Sequence, residues 1–195
     1  MNEELTAAVA ASDVMTDQLL ARIEEILWPE NPRQNVWMIL DGARSLEIFR
    51  MLLACHLEYA CLYSGPLTSE LEMAAPYLVQ LDRGYKDTHQ FIRRAWGNSW
   101  GVFLRSETSL KKLRRHLREL LIVRDTKGNR LTFRYYDPRV LRVYLPTCTP
   151  SETRTVFGPI ECFWTEGPNA EDLSEFCLGI AGIQQRRLDV AKVEA

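Results

Sequence analysis

The hydrophobic residues of this chain follow two patterns, helical spacing and short continuous runs, and the order of the patterns predicts a fold. Apolar residues recur every three or four positions between residues 12 and 27, which indicates an amphipathic helix. Residues 36–40 are continuously apolar and end at Asp41, as a buried strand would. From Leu46 onwards the apolar residues return to helical spacing. The chain is therefore predicted to begin with a helix, a strand and a second helix.

The same alternation continues through the middle of the chain. Further strands are predicted at residues 59–63, 77–81, 100–105 and 161–165. Further helices are predicted at residues 88–96, 108–120, 139–145 and 150–157. Strands that alternate with helices favour a parallel or mixed sheet whose faces are covered by helices. We therefore predict an α/β fold with a mixed, mostly parallel central sheet flanked by helices.

Turn and cap signals refine this prediction. Gly128-Asn129 predicts an antiparallel hairpin that joins the sheet, because this dipeptide suits a tight turn between two apolar segments. Asp137-Pro138 predicts a helix start, since the carboxylate caps unpaired N–H groups and proline has no N–H to leave unpaired. We expect an N-terminal helix and linker over residues 1–35, an α/β core over 36–166 and a short helical C-terminal tail over 167–195.

Composition and charge narrow the class of protein. The chain has 195 residues, of which 46% are hydrophobic and 26% charged, as in ordinary globular proteins. Its net charge of -2 gives no overall reason to expect nucleic acid as a partner. No apolar run approaches the roughly 20 residues of a membrane span, and the first residues lack the basic start of a secretory signal. We expect a cytoplasmic protein without a membrane span.

The cysteine residues give no sign of a metal site. The five cysteines form no C-x-x-C pair and no Cys/His cluster at zinc-ligand spacing, and free cysteine is commonly a small buried hydrophobic residue. They are Cys55, Cys61, Cys148, Cys162 and Cys177. We expect them to be reduced, and we expect neither a metal nor a cofactor.

Three aspartates carry the strongest argument for an enzyme. Asp41, Asp82 and Asp137 each follow a predicted strand, where an open α/β sheet usually places catalytic carboxylates. This pattern leaves open a hydrolase or nuclease-like enzyme. However, the sequence contains no phosphate-binding loop, no nucleophile elbow and no metal-binding D-x-D pair. Turn caps and ion pairs with arginines explain the same aspartates, so we expect no catalytic residue and no enzyme.

The predicted helix at residues 108–120 carries basic residues opposite its leucines. These residues are Lys111, Lys112, Arg114, Arg115 and Arg118. Three interpretations remain: a solvated helix face, docking to an acidic protein surface, or binding to phosphates. No aromatic residue lies among them, and aromatic rings are the usual stacking platform for single-stranded nucleic acid. We therefore expect no nucleic-acid partner.

Residues 133–141 read Phe-Arg-Tyr-Tyr-Asp-Pro-Arg-Val-Leu and resemble the F-R-[FY]-Y-D-P-R-V motif of the effector adaptor family of bacterial type VI secretion. Other matches occur in the order found in that family, at residues 40–43, 75–79, 100–106, 113–118 and 157–159. The resemblance covers about residues 36–165, and several ordered motifs are more specific than one short match. The resemblance implies a cytoplasmic chaperone that catalyses no reaction.

Such an adaptor holds a toxic effector and helps to load it onto the VgrG spike, so an effector and the VgrG spike protein are the implied partners. Many members carry a longer C-terminal helical lobe, which this chain is expected largely to lack. The candidate residues for binding a partner or bracing the motif are Asp41, Trp100, Arg134, Tyr136, Asp137, Pro138, Arg139 and Phe157. Arg134 and Arg139 are expected to brace the motif helix through carboxylates such as Asp41 or Asp82.

Overall fold

The protein is described by a computed structural model over residues 15–28, 34–124, 127–180 and 182–190. These residues form seven α-helices, nine strands and two short 3-10 helices, Gly42–Arg44 and Leu145–Thr147. The helices are α1 (Asp17–Leu27), α2 (Leu46–Ala54), α3 (Ser69–Met73), α4 (Lys86–Ala95), α5 (Leu110–Leu120), α6 (Pro138–Tyr144) and α7 (Pro150–Phe157). The strands are β1 (Asn35–Asp41), β2 (Tyr59–Cys61), β3 (Pro76–Leu81), β4 (Gly101–Ser106), β5 (Ile122–Arg124), β6 (Arg130–Thr132), β7 (Cys162–Glu166), β8 (Asp172–Gly179) and β9 (Gly182–Asp189).

The central sheet has seven strands in the order β2-β3-β1-β4-β7-β8-β9, and every neighbouring pair is antiparallel. The prediction of a mostly parallel sheet is therefore wrong. The connections explain the error. Strands β1 and β2 are joined through α2 and run parallel, but β3 lies between them. Strands β3 and β4 are joined through α4 and also run parallel, with β1 between them. These are split β-α-β units, in which helical connections skip one antiparallel strand.

Helices cover both faces of this sheet. Alternate side chains of a strand point to opposite faces, so Met38 and Ile39 of β1 belong to two separate apolar clusters. The cluster around Met38 includes residues of α1, α2 and α4. The cluster around Ile39 includes residues of α5, α6 and α7. The protein therefore has three layers, helix, sheet and helix, and its central strands are apolar on both sides.

Two further parts of the fold prediction are wrong. The hairpin of β5 and β6 forms a separate two-stranded sheet and does not join the central one. The predicted helical tail is instead a hairpin of two eight-residue strands, β8 and β9, which extends the central sheet beyond β7. In β8 the core residues Leu173 and Phe176 lie on opposite faces, so neither face is continuously apolar.

The predicted helix starts at Asp137-Pro138 and Thr149-Pro150 are confirmed. Asp137 accepts the backbone N–H of Arg139 at the start of α6. Thr149 and Glu152 form a reciprocal capping box at the start of α7. Helix α1 begins after Thr16, whose side chain accepts the N–H of Leu19; the predicted start at residue 12 lies outside the described residues. The described helices include none that is both long enough and apolar enough to cross a membrane.

Candidate functional site

The resemblance motif lies at one end of the central sheet. Because neighbouring strands are antiparallel, the ends of β1 and β7 meet the starts of β3 and β4 there. We call this the motif end, and it is marked by Asp41, Pro76, Gly101 and Glu166. The chain after β6 passes over the motif end and enters α6 at Pro138. Residues distant in the sequence are therefore brought against the motif.

Asp41 and Arg134 form an ion pair at the motif end. The Asp41 side chain is 1% exposed, whereas that of Arg134 is 45% exposed, so the guanidinium covers the carboxylate. Asp41 also accepts the backbone N–H of Ala43 at 3.2 Å. The hydrogen bond to Asp41 raises the pKa of Arg134. The expected brace between Arg134 and Asp41 is thus present as a contact.

Arg139 pairs with Asp137, and not with Asp41 or Asp82 as expected. Its Nε and a terminal nitrogen donate to the two carboxylate oxygens of Asp137 at 2.9 and 2.6 Å. Burial by itself raises the pKa of Asp137, but the hydrogen bonds from the side chain and backbone of Arg139 outweigh burial and lower it. Asp137 therefore remains ionised while it caps α6.

The aromatic residues of the motif belong to the core. The hydroxyl of Tyr135, which is fully buried, donates to the carbonyl of Leu117 in α5 at 2.7 Å. Tyr136 is 2% exposed, and burial raises the pKa of both tyrosines. The ring of Phe133 lies edge-on to that of Tyr144, with centroids 4.6 Å apart. These contacts fix the chain that leads from β6 into α6.

Glu166 is a component of the motif end that the sequence did not indicate. It is 7% exposed and accepts three hydrogen bonds, from the N–H of Gly97 at 2.6 Å and from the N–H and hydroxyl of Ser99 at 2.9 Å each. Its backbone carbonyl accepts a bond from Arg142 of α6. Burial raises the pKa of Glu166, and the bonds from Ser99 and Gly97 oppose that shift.

Two glycines next to Asp41 and Trp100 lie where the backbone of one segment closely approaches another. A Cβ on Gly42 would lie 2.5 Å from the carbonyl oxygen of Ala75, and one on Gly101 would lie 2.0 Å from that of Ile39. Neither position has room for a side chain, because backbone atoms cannot move aside easily. The strands at the motif end are therefore packed backbone against backbone.

Several candidate binding residues are inaccessible to a partner. Trp100 is 6% exposed and Phe157 is fully buried. Pro138 is buried in the first turn of α6. Together with Asp41, Tyr136 and Asp137 they stabilise the domain from inside. Of the eight candidates, Arg134 and Arg139 are the two whose side chains reach the surface.

The three strand-end aspartates do not come together. Asp82 is exposed and follows Leu81, which ends β3 and pairs with Val36. Asp41 instead pairs with Pro76, at the start of β3. At about 3.4 Å per residue, the two aspartates lie roughly 17 Å or more apart. Within the described ranges, no group of three or more His, Cys, Asp or Glu residues is placed to hold a metal ion. This geometry does not favour a site that uses all three aspartates.

The basic residues of α5 differ in their surroundings. Lys111, Lys112 and Arg115 are exposed, and Arg118 is half-buried. Arg114 instead lies against the core and donates to the carbonyls of Cys61 and Tyr63 at 2.6 and 3.1 Å. Arg114 therefore holds the segment after β2 in place, and the remaining four residues form the basic surface.

The expectation that all cysteines are reduced is not met. Cys162 of β7 and Cys177 of β8 are register partners, and their sulfur atoms form a disulfide. Directly opposed residues on antiparallel strands are close enough for this bond, which the sequence separation of 15 does not reveal. Cys55, Cys61 and Cys148 are free thiols.

The fold and the motif end define a class of protein: a three-layer domain on an antiparallel sheet, with arginine–carboxylate pairs covering one end of that sheet. Residues 36–155 match a family model described as "Domain of unknown function (DUF4123)", and this segment is more than half of the chain. The chain belongs to the DUF4123 family. No curated protein and no solved structure matches it.

Proposed function

We propose that the protein is a non-catalytic adaptor that binds an effector of type VI secretion and assists its loading onto the VgrG spike. Membership of the DUF4123 family supports this proposal, since the motif at residues 133–141 resembles that of the effector adaptors. In the proposed role the protein acts in the cytoplasm, before the effector is exported. It binds protein partners and does not bind nucleic acid.

One observation carries the proposal: the charged and aromatic residues of the motif are engaged in internal contacts. Asp41 and Asp137 each accept bonds from an arginine, and the Tyr135 hydroxyl is bonded to a main-chain carbonyl. A general acid or base needs a titrating group that can reach a substrate proton. A motif organised in this way instead suits a rigid scaffold, which holds surface helices in a fixed arrangement for a partner to dock.

The direct test is recovery of the partner from cells that express the neighbouring type VI secretion genes. Tagged protein is expected to co-purify an effector in a defined ratio, with or without the VgrG spike protein. A matched sample of unrelated tagged protein controls for carry-over. Recovery of neither an effector nor a spike protein would contradict the adaptor function.

A second experiment tests the motif within this function. Arg139→Ala removes the partner of Asp137 at the start of α6, and we expect it to lower effector recovery or the stability of the domain. Secretion of the effector by intact cells provides an independent measurement. If the variant folds as the wild type does and retains full effector recovery, the motif neither braces the fold nor supports binding.

A further inference from the structure

Positive charge is concentrated in one continuous part of the chain. Residues 110–134 contain nine lysines and arginines and two acidic residues, although the whole chain has a net charge of -2. The described residues of this region include α5, β5 and β6, and side chains from all three line one groove. The remainder of the chain is correspondingly acidic. Arg114 and Arg134 make the internal contacts described above, and the other seven basic residues favour a negatively charged partner at this region.

An apolar groove borders this basic region along α5, whereas its α3 side carries the exposed Glu70 and Glu72. It has a volume of about 610 Å³ and runs between α5, the segment that includes α3, and the start of β5. Leu67, Leu71 and Ile122 contribute its apolar side chains, and Arg115 and Arg118 line its α5 side. Leu71 is 51% exposed and Ile122 is 43% exposed, so two large apolar side chains at one groove are accessible to a partner. We call this site the α5 groove.

The hairpin that forms one wall has little support of its own. All six residues of β5 and β6 are exposed, including Ile122, Val123 and Leu131. A two-stranded sheet without a packed face is marginally stable in water. A partner that buries apolar side chains against β5 would therefore stabilise the hairpin as it binds.

We propose that the α5 groove is the docking site for an acidic, amphipathic segment of a protein partner. The apolar side chains of that segment enter the groove between Leu71 and Ile122, and its carboxylates face Arg115, Arg118 and the lysines of α5. Docking of an amphipathic helix into an apolar groove is an established mode of peptide recognition. Opposite charges around the groove increase the association rate and fix the orientation of the segment.

The chemistry of the groove favours a protein segment over nucleic acid. The exposed apolar side chains of the groove are aliphatic, namely Leu71 and Ile122. Proteins that bind single strands stack bases on aromatic rings instead. Tyr63 lines the groove, but it is half-buried and interacts with Tyr136 in the core.

Three labelled probes test the inference on the purified full chain. The first is a peptide of about 18 residues, or five helical turns, with leucines at helical spacing in a glutamate-rich sequence. The second replaces those leucines with alanine, and the third is a single-stranded oligonucleotide of about 20 nucleotides. We expect the leucine peptide to bind at least about tenfold more tightly than either other probe. Equal binding of the alanine peptide, or tighter binding of the oligonucleotide, would overturn the proposal.

Matched variants locate the binding site. Leu71→Asp and Arg115→Glu are expected to weaken binding of the leucine peptide by about tenfold or more. Leu53→Asp and Arg50→Glu change an exposed leucine and an exposed arginine on α2, on the opposite side of the sheet, and should leave binding unchanged. Circular dichroism and unfolding midpoints confirm that each variant is folded. If Leu71→Asp binds as the wild type does, the groove is not the docking site.

The identity of the natural partner rests on the proposed function, and the same variants separate the two ideas. Effector recovery by the wild type but not by Leu71→Asp supports both the adaptor function and the docking site. Full recovery by Leu71→Asp and Arg115→Glu would leave the adaptor function standing and place the effector elsewhere. Absence of the effector even from the wild type would contradict the adaptor function, while the peptide probes still decide what the α5 groove binds.

Discussion

Arg134 and Asp41 lie 93 positions apart in the sequence, yet the guanidinium of Arg134 closes over the carboxylate of Asp41 at the motif end. Asp41 ends β1, an inner strand of the sheet between β3 and β4, and Arg134 lies on the segment that enters α6. The pair therefore connects the middle of the sheet to the layer of helices on one face. It is the longest-range contact made by the resemblance motif among those described above.

Removal of Arg134 should destabilise the domain. In Arg134→Ala the carboxylate of Asp41, which is 1% exposed, loses its charged partner and keeps the N–H of Ala43. Breaking a fully buried ion pair costs about 3–5 kcal/mol. Because Arg134 is partly exposed, we expect the free energy of unfolding to fall by about 2 kcal/mol. Urea denaturation measures this change. Arg186 on the exposed strand β9 is the control, because its Nε lies 4.0 Å from Glu175 of β8. Arg186→Ala should cost less than about 0.5 kcal/mol.

A methyl group on Gly101 should be far more damaging than one on Gly179. In Gly101→Ala the new Cβ would lie 2.0 Å from the carbonyl oxygen of Ile39, so β4 must separate from β1. We expect a loss of about 3 kcal/mol or failure to fold. In Gly179→Ala the Cβ meets the side chain of Gln184, which can rotate away, so the loss should stay below about 1 kcal/mol. Similar unfolding midpoints for both variants would contradict the close strand approach.

The order and type of most elements could be predicted from sequence, but the direction of the strands could not. Residues of β1 and β3 are apolar on both sides, which is typical of parallel sheets because helices cover both faces of those sheets. The present sheet is also covered on both faces, so its strands show the same pattern although they are antiparallel. Periodicity reports burial, and it does not report which strand lies next to which.

The candidate site was predictable only in part, for a related reason. Asp137-Pro138 identified a helix start because a cap depends on residues adjacent in sequence. Glu166 was missed because its three bonds come from Gly97 and Ser99, which no local pattern connects to it. The pairing of Cys162 with Cys177 was missed because it depends on the register of β7 and β8. Contacts between distant segments require the fold to be known.

The disulfide between β7 and β8 should contribute measurably to stability. A cross-link that closes a loop of 15 residues is expected to stabilise a domain by about 3 kcal/mol, mainly by restricting the unfolded chain. Peptide mapping without reductant should recover Cys162 linked to Cys177, with alkylation confined to the other three cysteines. Cys177→Ser should lower the urea midpoint, and Cys148→Ser is the matched control. Alkylation of Cys177 in unreduced protein would contradict the pairing.

Disulfides are rare in cytoplasmic proteins, which bears on the proposed compartment. If the protein acts in the cytoplasm, we expect Cys162 and Cys177 to be reduced there and to pair after isolation in air. Trapping thiols with an alkylating agent at the moment of cell lysis measures the reduced fraction. A pair that is already fully oxidised in the trapped sample would argue against a cytoplasmic location.

Acid should reveal the ion pair of Arg139 and Asp137. The folded pKa of Asp137 is lowered, so the stability it contributes is present above its unfolded pKa of about 3.9 and is lost as the pH falls through the folded value. Arg139→Met removes the side-chain bonds that lower this pKa but keeps the backbone N–H bond, and it should cost about 1 kcal/mol at neutral pH, because Arg139 is half exposed. Unfolding free energies measured from pH 7 to pH 3 should converge for the two proteins at the acid end. In an Asp137→Asn background, the change in unfolding free energy caused by Arg139→Met should not depend on pH. If that change still depends on pH, another carboxylate is responsible for the dependence.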